Sequence, residues 1–80
     1  MGKYHSNYYQ PSIEEFEAMY WCNQRNIAVE CFPLDNGTRL LINNNGKLRS
    51  GNKIWKYSQQ REAIFTTYLS IYKKLLFLKY

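Results

Sequence analysis

After Pro11-Ser12, apolar residues recur at Ile13, Phe16 and Tyr20, with Met19 and Cys22 widening the stripe, and spacings of three and four predict an amphipathic helix. The start of this helix is well marked. Ser12 is an N-cap residue, Glu15 three positions on completes a capping box, and Glu14, Glu15 and Glu17 fall at the positive end of the helix dipole. These three acids therefore read as capping and solvated-face residues rather than as a carboxylate site. Asn26 supplies a left-handed stop.

The pattern then changes to that of strands. Residues 27–34 are rich in β-formers and run into Asp35-Asn36-Gly37-Thr38, a tight hairpin signal. A second strand over residues 39–43 leads to Asn44-Asn45-Gly46, another tight turn, and a third strand begins at Lys47. Ser50-Gly51-Asn52 interrupts it before Ile54-Trp55-Lys56-Tyr57, as a bulge in one long strand or a turn to a short fourth. A first turn centred on Asn36-Gly37 sets Cys31 against Ile42 and Pro33 against Leu40 on one face. It sets Phe32 against Leu41 and Leu34 against Arg39 on the other. Pro33 has no N–H for a ladder, so the first strand is expected at an edge.

From Ser58 onward, Ile64, Tyr68, Ile71, Leu75 and Leu78 repeat at helical spacing beside a second seam of Phe65, Leu69, Tyr72 and Leu76. So broad a stripe calls for a covering role over a sheet, and a homodimer seam along this C-terminal helix is the alternative. The expected fold class is α+β: a single small domain over residues 11–80, α-β-β-β-α, with a three-stranded antiparallel meander covered on one face by two helices. Residues 1–10 are expected to form a flexible arm. The expected core is Phe16, Tyr20, Val29, Leu40, Ile42, Ile64, Tyr68, Ile71 and Leu75.

The chain has 80 residues, 45% hydrophobic and 18% aromatic, which suits one folded core and excludes disordered or low-complexity classes. No apolar run approaches the roughly 18 residues of a membrane span, and no stretch near the N-terminus reads as a secretory signal, so a cytoplasmic location is expected. The formal charge of +5 is unevenly distributed. Residues 1–37 carry two cations (Lys3, Arg25) and five acids (Glu14, Glu15, Glu17, Glu30, Asp35), a net of −3. Residues 38–80 carry nine cations and only Glu62, a net of +8. Such a half attracts polyanions or an acidic protein face, although lysines on turns also serve solubility alone.

Candidate chemistry narrows quickly. Cys22, Cys31 and the single His5 cannot by themselves assemble a tetrahedral metal site, and without a secretory route both thiols are expected to stay reduced as small buried hydrophobes. Neither a Cys-His nucleophile pair, a carboxylate dyad nor a phosphate-cradling glycine loop emerges. The M-G-x-x-x-[ST] lipidation pattern at Met1 is weakened by Lys3 directly after the glycine. No metal, no cofactor and no enzymatic activity are expected. The basic residues Arg39, Lys47, Arg49, Lys53 and Lys56, interleaved with Trp55 and Tyr57, form the candidate contact set, suited to phosphates and to base stacking, although the two rings can instead sit under the second helix, and Trp55 is expected there as a core ring. Phe77, Tyr80, Tyr8 and Tyr9 are secondary candidates.

The element order resembles that of the double-stranded RNA-binding domain. The likeness is confined to that order: the second helix here opens Ser58-Gln59-Gln60-Arg61-Glu62 in place of the family's lysine cluster, and Asp35-Asn36-Gly37 replaces its Gly-Pro-x-His loop. It transfers no function. Two readings follow from the surface chemistry. One is a small basic module that contacts nucleic acid or a nucleoprotein through the hairpin face. The other is a compact inhibitor of the viral or mobile-element kind, docking on an acidic or nucleic-acid-binding surface of a host enzyme.

Overall fold

A computed structural model describes residues 9–78. Helix α1 (Ile13–Gln24) leads into strands β1 (Ile27–Leu34), β2 (Gly37–Asn44) and β3 (Lys47–Trp55); a 3-10 turn (Tyr57–Gln59) then opens helix α2 (Gln60–Leu78). The strands form one antiparallel sheet in the order β1-β2-β3, with Pro33 on an edge strand as its missing N–H requires. This is the expected α-β-β-β-α meander.

Local chemistry sets the boundaries. The Ser12 Oγ accepts the Glu15 N–H at 3.1 Å, and Glu15 Oε1 accepts the Ser12 N–H at 2.9 Å, closing the capping box. Asn26 takes a left-handed φ of 61° where the chain leaves α1 for β1. Asn45 and Gly46, at φ 56° and 91°, form the two-residue tip between β2 and β3, with positive φ at both positions as a type I′ turn requires. Asn45 N–H donates to the Asn26 carbonyl at 2.9 Å, which ties that tip to the α1–β1 corner.

The first hairpin differs from expectation. Leu34 pairs with Gly37, so the tip is Asp35-Asn36 and the register is Cys31 with Leu40, Pro33 with Thr38 and Phe32 with Arg39. The slip is two residues, an even number, so every side chain keeps its expected face. In β3 the interruption is a bulge: Arg39 pairs with Ile54 and Leu41 with Ser50, leaving Gly51, Asn52 and Lys53 opposite Leu40 alone.

The core lies between the two helices and one face of the sheet. Ala18, Cys22, Ile27, Val29, Leu40, Ala63 and Tyr68 form its buried cluster, and Ile42, Ile64, Ile71 and Leu75 pack against it partly buried. Two expected members are outside it: Phe16 is 45% and Tyr20 64% exposed. Helix α1 instead buries Glu15, Ala18 and Cys22, an arc about 160° away around a helix of 3.6 residues per turn. Small side chains explain the choice. Ala18 and Ala63 are both fully buried, and residues of that size let helices approach closely. Phe16 keeps an edge-to-face contact with Phe65, centroids 5.2 Å apart.

Tyr68 joins the layers through hydrogen bonds as well as packing. Its hydroxyl accepts the Val29 N–H at 2.9 Å and donates to Asn23 Oδ1 at 3.2 Å. At the other end the Tyr9 hydroxyl donates to both carboxylate oxygens of Glu15 at 2.9 and 2.8 Å, and its carbonyl accepts from Arg61 Nε at 2.9 Å.

Candidate anion-binding groove

Where the β2–β3 tip passes beneath α2, the helix and the hairpin leave a half-open groove of about 610 Å3. Alternation along β3 places Lys47 opposite Asn44 and Arg49 opposite Ile42, so both cations fall on the helix side of the sheet. Thr67, Ser70, Ile71, Lys74 and Leu75 line the other wall, at the three- and four-residue spacing that puts them on one helix face. Ile27, Ile42, Leu48, Ile71 and Leu75 supply its apolar part; Lys47, Arg49 and Lys74 supply three positive charges, with the Thr67 and Ser70 hydroxyls beside them. None of the lining residues is acidic.

The one ion pair among the described residues lies elsewhere, between Lys73 and Glu14 at 3.8 Å. Both of its side chains are more than half exposed, so it contributes little to stability. The groove cations thus keep their charge uncompensated by neighbouring carboxylates, and an anion entering there meets a local excess of positive potential.

The five cations singled out in the sequence do not gather in one place. Lys47 and Arg49 line the groove. Lys53 and Lys56 lie toward the opposite end of β3 and beyond it, where the Lys53 Nζ sits 3.9 Å from the centroid of the Trp55 ring. Trp55 itself packs partly buried against the core, as expected of it, and Lys53 lies over its ring. Tyr57 in the 3-10 turn stays about half exposed. Arg39 is on the outer face of the sheet, flanked in register by Phe32 and Ile54. Of the secondary candidates, Tyr9 commits its hydroxyl to Glu15, a carboxylate that also raises the phenol pKa, chiefly through this hydrogen bond. Tyr8, Tyr80 and the side chain of Phe77 lie outside the described residues.

Lys74, Thr67 and Ser70 were not singled out by sequence reasoning. The signal available was modest: Lys74 adjoins Leu75 and follows Ile71 by three residues, so it flanks the buried seam rather than facing away from it.

A second, more open concavity of about 670 Å3 is lined by Asn23, Asn26, Asn43 and Asn45. Its asparagines are largely occupied in structure. Asn43 Oδ1 accepts the Gly46 N–H at 2.8 Å, Asn23 Oδ1 accepts from Tyr68, and Asn26 and Asn45 hold positive φ. Among the described residues no group of three His, Cys, Asp or Glu side chains is placed to hold a metal ion. Burial raises the pKa of both Cys22 and Cys31, which keeps them as thiols at neutral pH.

No family model, no curated protein and no solved structure matches this chain.

Proposed function

We propose that the protein is a non-catalytic module that binds the phosphate backbone of nucleic acid in the groove between α2 and the β2–β3 hairpin. The observation that carries this reading is the convergence of Lys47, Arg49 and Lys74 on one half-open groove with no acidic lining residue. Phosphate contacts of this kind supply affinity without sequence readout. The pairing of cations with an apolar wall suits an extended single strand, whose phosphates can meet Lys47, Arg49 and Lys74 while its sugars and bases lie against the Ile71 and Leu75 side.

Fluorescence anisotropy with labelled single-stranded and duplex oligonucleotides tests it. The wild-type chain is expected to bind single strands more tightly at low salt. Replacing Lys47, Arg49 and Lys74 together by Glu should abolish binding, whereas replacing Lys53 and Lys56 by Glu should leave at least half of the affinity. Equal losses from both sets would refute the groove as the site. The inhibitor reading draws on the same cations, and what favours it is the exposed stripe of Ile13, Phe16 and Tyr20 on α1, an apolar surface of the kind that partners cover. Indifference to every oligonucleotide at low salt would leave that reading as the better one.

A further inference from the structure

The sheet has a second face. The structure is only 17 Å across its thinnest dimension, room for one helix layer on one sheet layer, and both helices lie on the side of Val29, Leu40 and Trp55. The opposite side presents Phe32 and Ile54, both exposed, with Leu41 beside them; Ala28 and the exposed Leu48, which also borders the groove, lie at its far end, and Asn43 and Ser50 share the face. Two charges interrupt this apolar surface. Glu30 stands on β1, opposite Leu41, and Arg39 stands one pair further along on β2, between Phe32 and Ile54. They form no ion pair with each other, and the Arg39 Nε is shielded from water with no hydrogen-bond partner.

We propose that this outer face is a self-association surface on which a second copy of the chain stacks face to face, the Glu30 of each copy meeting the Arg39 of the other. The charge arrangement is self-complementary. A two-fold axis lying between the stacked sheets, and bisecting the line from Glu30 to Arg39, brings each carboxylate over the partner copy's guanidinium, so one contact is made twice. Because the line from Glu30 to Arg39 runs diagonally across the strands, this axis crosses the strands of the two copies at a wide angle, and crossed stacking is one of the two established ways in which sheets pack face to face. Arg39 thereby gains an acceptor for donors that have none within the described residues.

Edge pairing is the competing route to self-association, and the edges are guarded: β1 carries Pro33, and β3 carries Lys47, Arg49 and a bulge. Three strands at about 4.8 Å spacing and about eight residues long give a flat footprint of roughly 400 Å2 per copy. With side-chain relief added, the interface remains in the small class, below about 1,200 Å2 in total. The dimer is therefore weak, with a dissociation constant in the micromolar range. Apart from Leu48 at its margin, which also borders the basic groove, this surface lies on the opposite side of the sheet from it and does not depend on nucleic-acid binding.

Sedimentation equilibrium of the full chain across the micromolar range provides the test. The wild type is expected to pass reversibly from monomer to dimer. Glu30→Arg, at an exposed position, and Arg39→Glu should each weaken dimerisation by about tenfold or more, and the double exchange should restore it. Amide shifts that change on dilution should centre on Phe32, Leu41 and Ile54. A wild type that stays monomeric throughout overturns the proposal. So does a dimer indifferent to Glu30→Arg, or one whose dilution shifts map to α2.

Discussion

Gly37 gives the sharpest test of the packing. Its φ is 150°, and a Cβ built there lies 2.3 Å from the Trp55 carbonyl oxygen and 2.8 Å from Ile54 Cγ2. The oxygen belongs to the backbone of β3 and cannot swing aside as a side chain could, so Gly37→Ala must push β3 away from β2. Backbone strain at such a position costs about 1 to 3 kcal/mol, and forcing atoms into a packed site about 1 to 3 more. The expected loss is therefore about 2 to 6 kcal/mol, against a total stability of about 4 to 12 kcal/mol for a chain of this length. Two further alanines separate the causes. Gly46, at φ 91° with nothing within 4 Å of its Cβ position, carries the backbone cost alone, about 1 to 2 kcal/mol. Gly51 has its nearest atom, the Leu40 carbonyl oxygen, at an ordinary 3.7 Å, and Gly51→Ala should stay within about 0.5 kcal/mol of wild type. Urea unfolding followed by Trp21 and Trp55 fluorescence measures all three, provided the denaturant slope is unchanged. A Gly37→Ala protein within about 0.5 kcal/mol of wild type, or a Gly46→Ala protein equally destabilised, would refute the close approach.

Other substitutions probe the same framework. Tyr68→Phe keeps the ring and removes the hydroxyl that accepts from Val29 and donates to Asn23, so urea unfolding should register a loss of about 1 to 3 kcal/mol. Ala63→Leu should cost about 1 to 3 kcal/mol by wedging α1 from α2, while Tyr20→Ser, on the exposed arc of α1, should change stability by less than about 0.5 kcal/mol; the reverse order in the same assay would place the helix contact on the wrong side. Tyr9 has a raised pKa because its hydroxyl donates to Glu15, so the neutral phenol is favoured in the folded state. Its contribution to stability is fully present below the unfolded tyrosine pKa of about 10 and is lost as pH rises through the higher folded value. Ultraviolet difference titration should show one fewer phenol ionising at the top of that range in Glu15→Gln.

The elements governed by neighbouring residues were legible in the sequence. The capping box at Ser12, the left-handed Asn26, the Asn45-Gly46 tip and the Pro33 edge each depend on a few adjacent positions, and the structure has all four. The first hairpin was legible to its faces but not its register. Gly37 reads as half of a turn dipeptide, yet it opens β2 and its missing side chain makes room for the Trp55 carbonyl, 18 positions away. The orientation of α1 was not legible because both of its arcs carry apolar residues. The arc with larger rings was the natural choice, and the burial of the small Ala18 and Cys22 in the shared core, where Ala63 of α2 is also fully buried, overrides it. The groove was half legible: charge counting found Lys47 and Arg49, but their meeting with Lys74 depends on how α2 crosses the hairpin.

The central claim is that three cations in one groove meet phosphates, and the salt dependence of single-strand binding counts such contacts directly. At about 0.7 per neutralised phosphate, the plot of log K against log salt should fall with a slope of about −2 for the wild type. Lys74→Gln should reduce its magnitude by about 0.7, and Lys53→Gln should leave it unchanged. A slope near zero, or one lowered by Lys53→Gln and not by Lys74→Gln, would contradict the account.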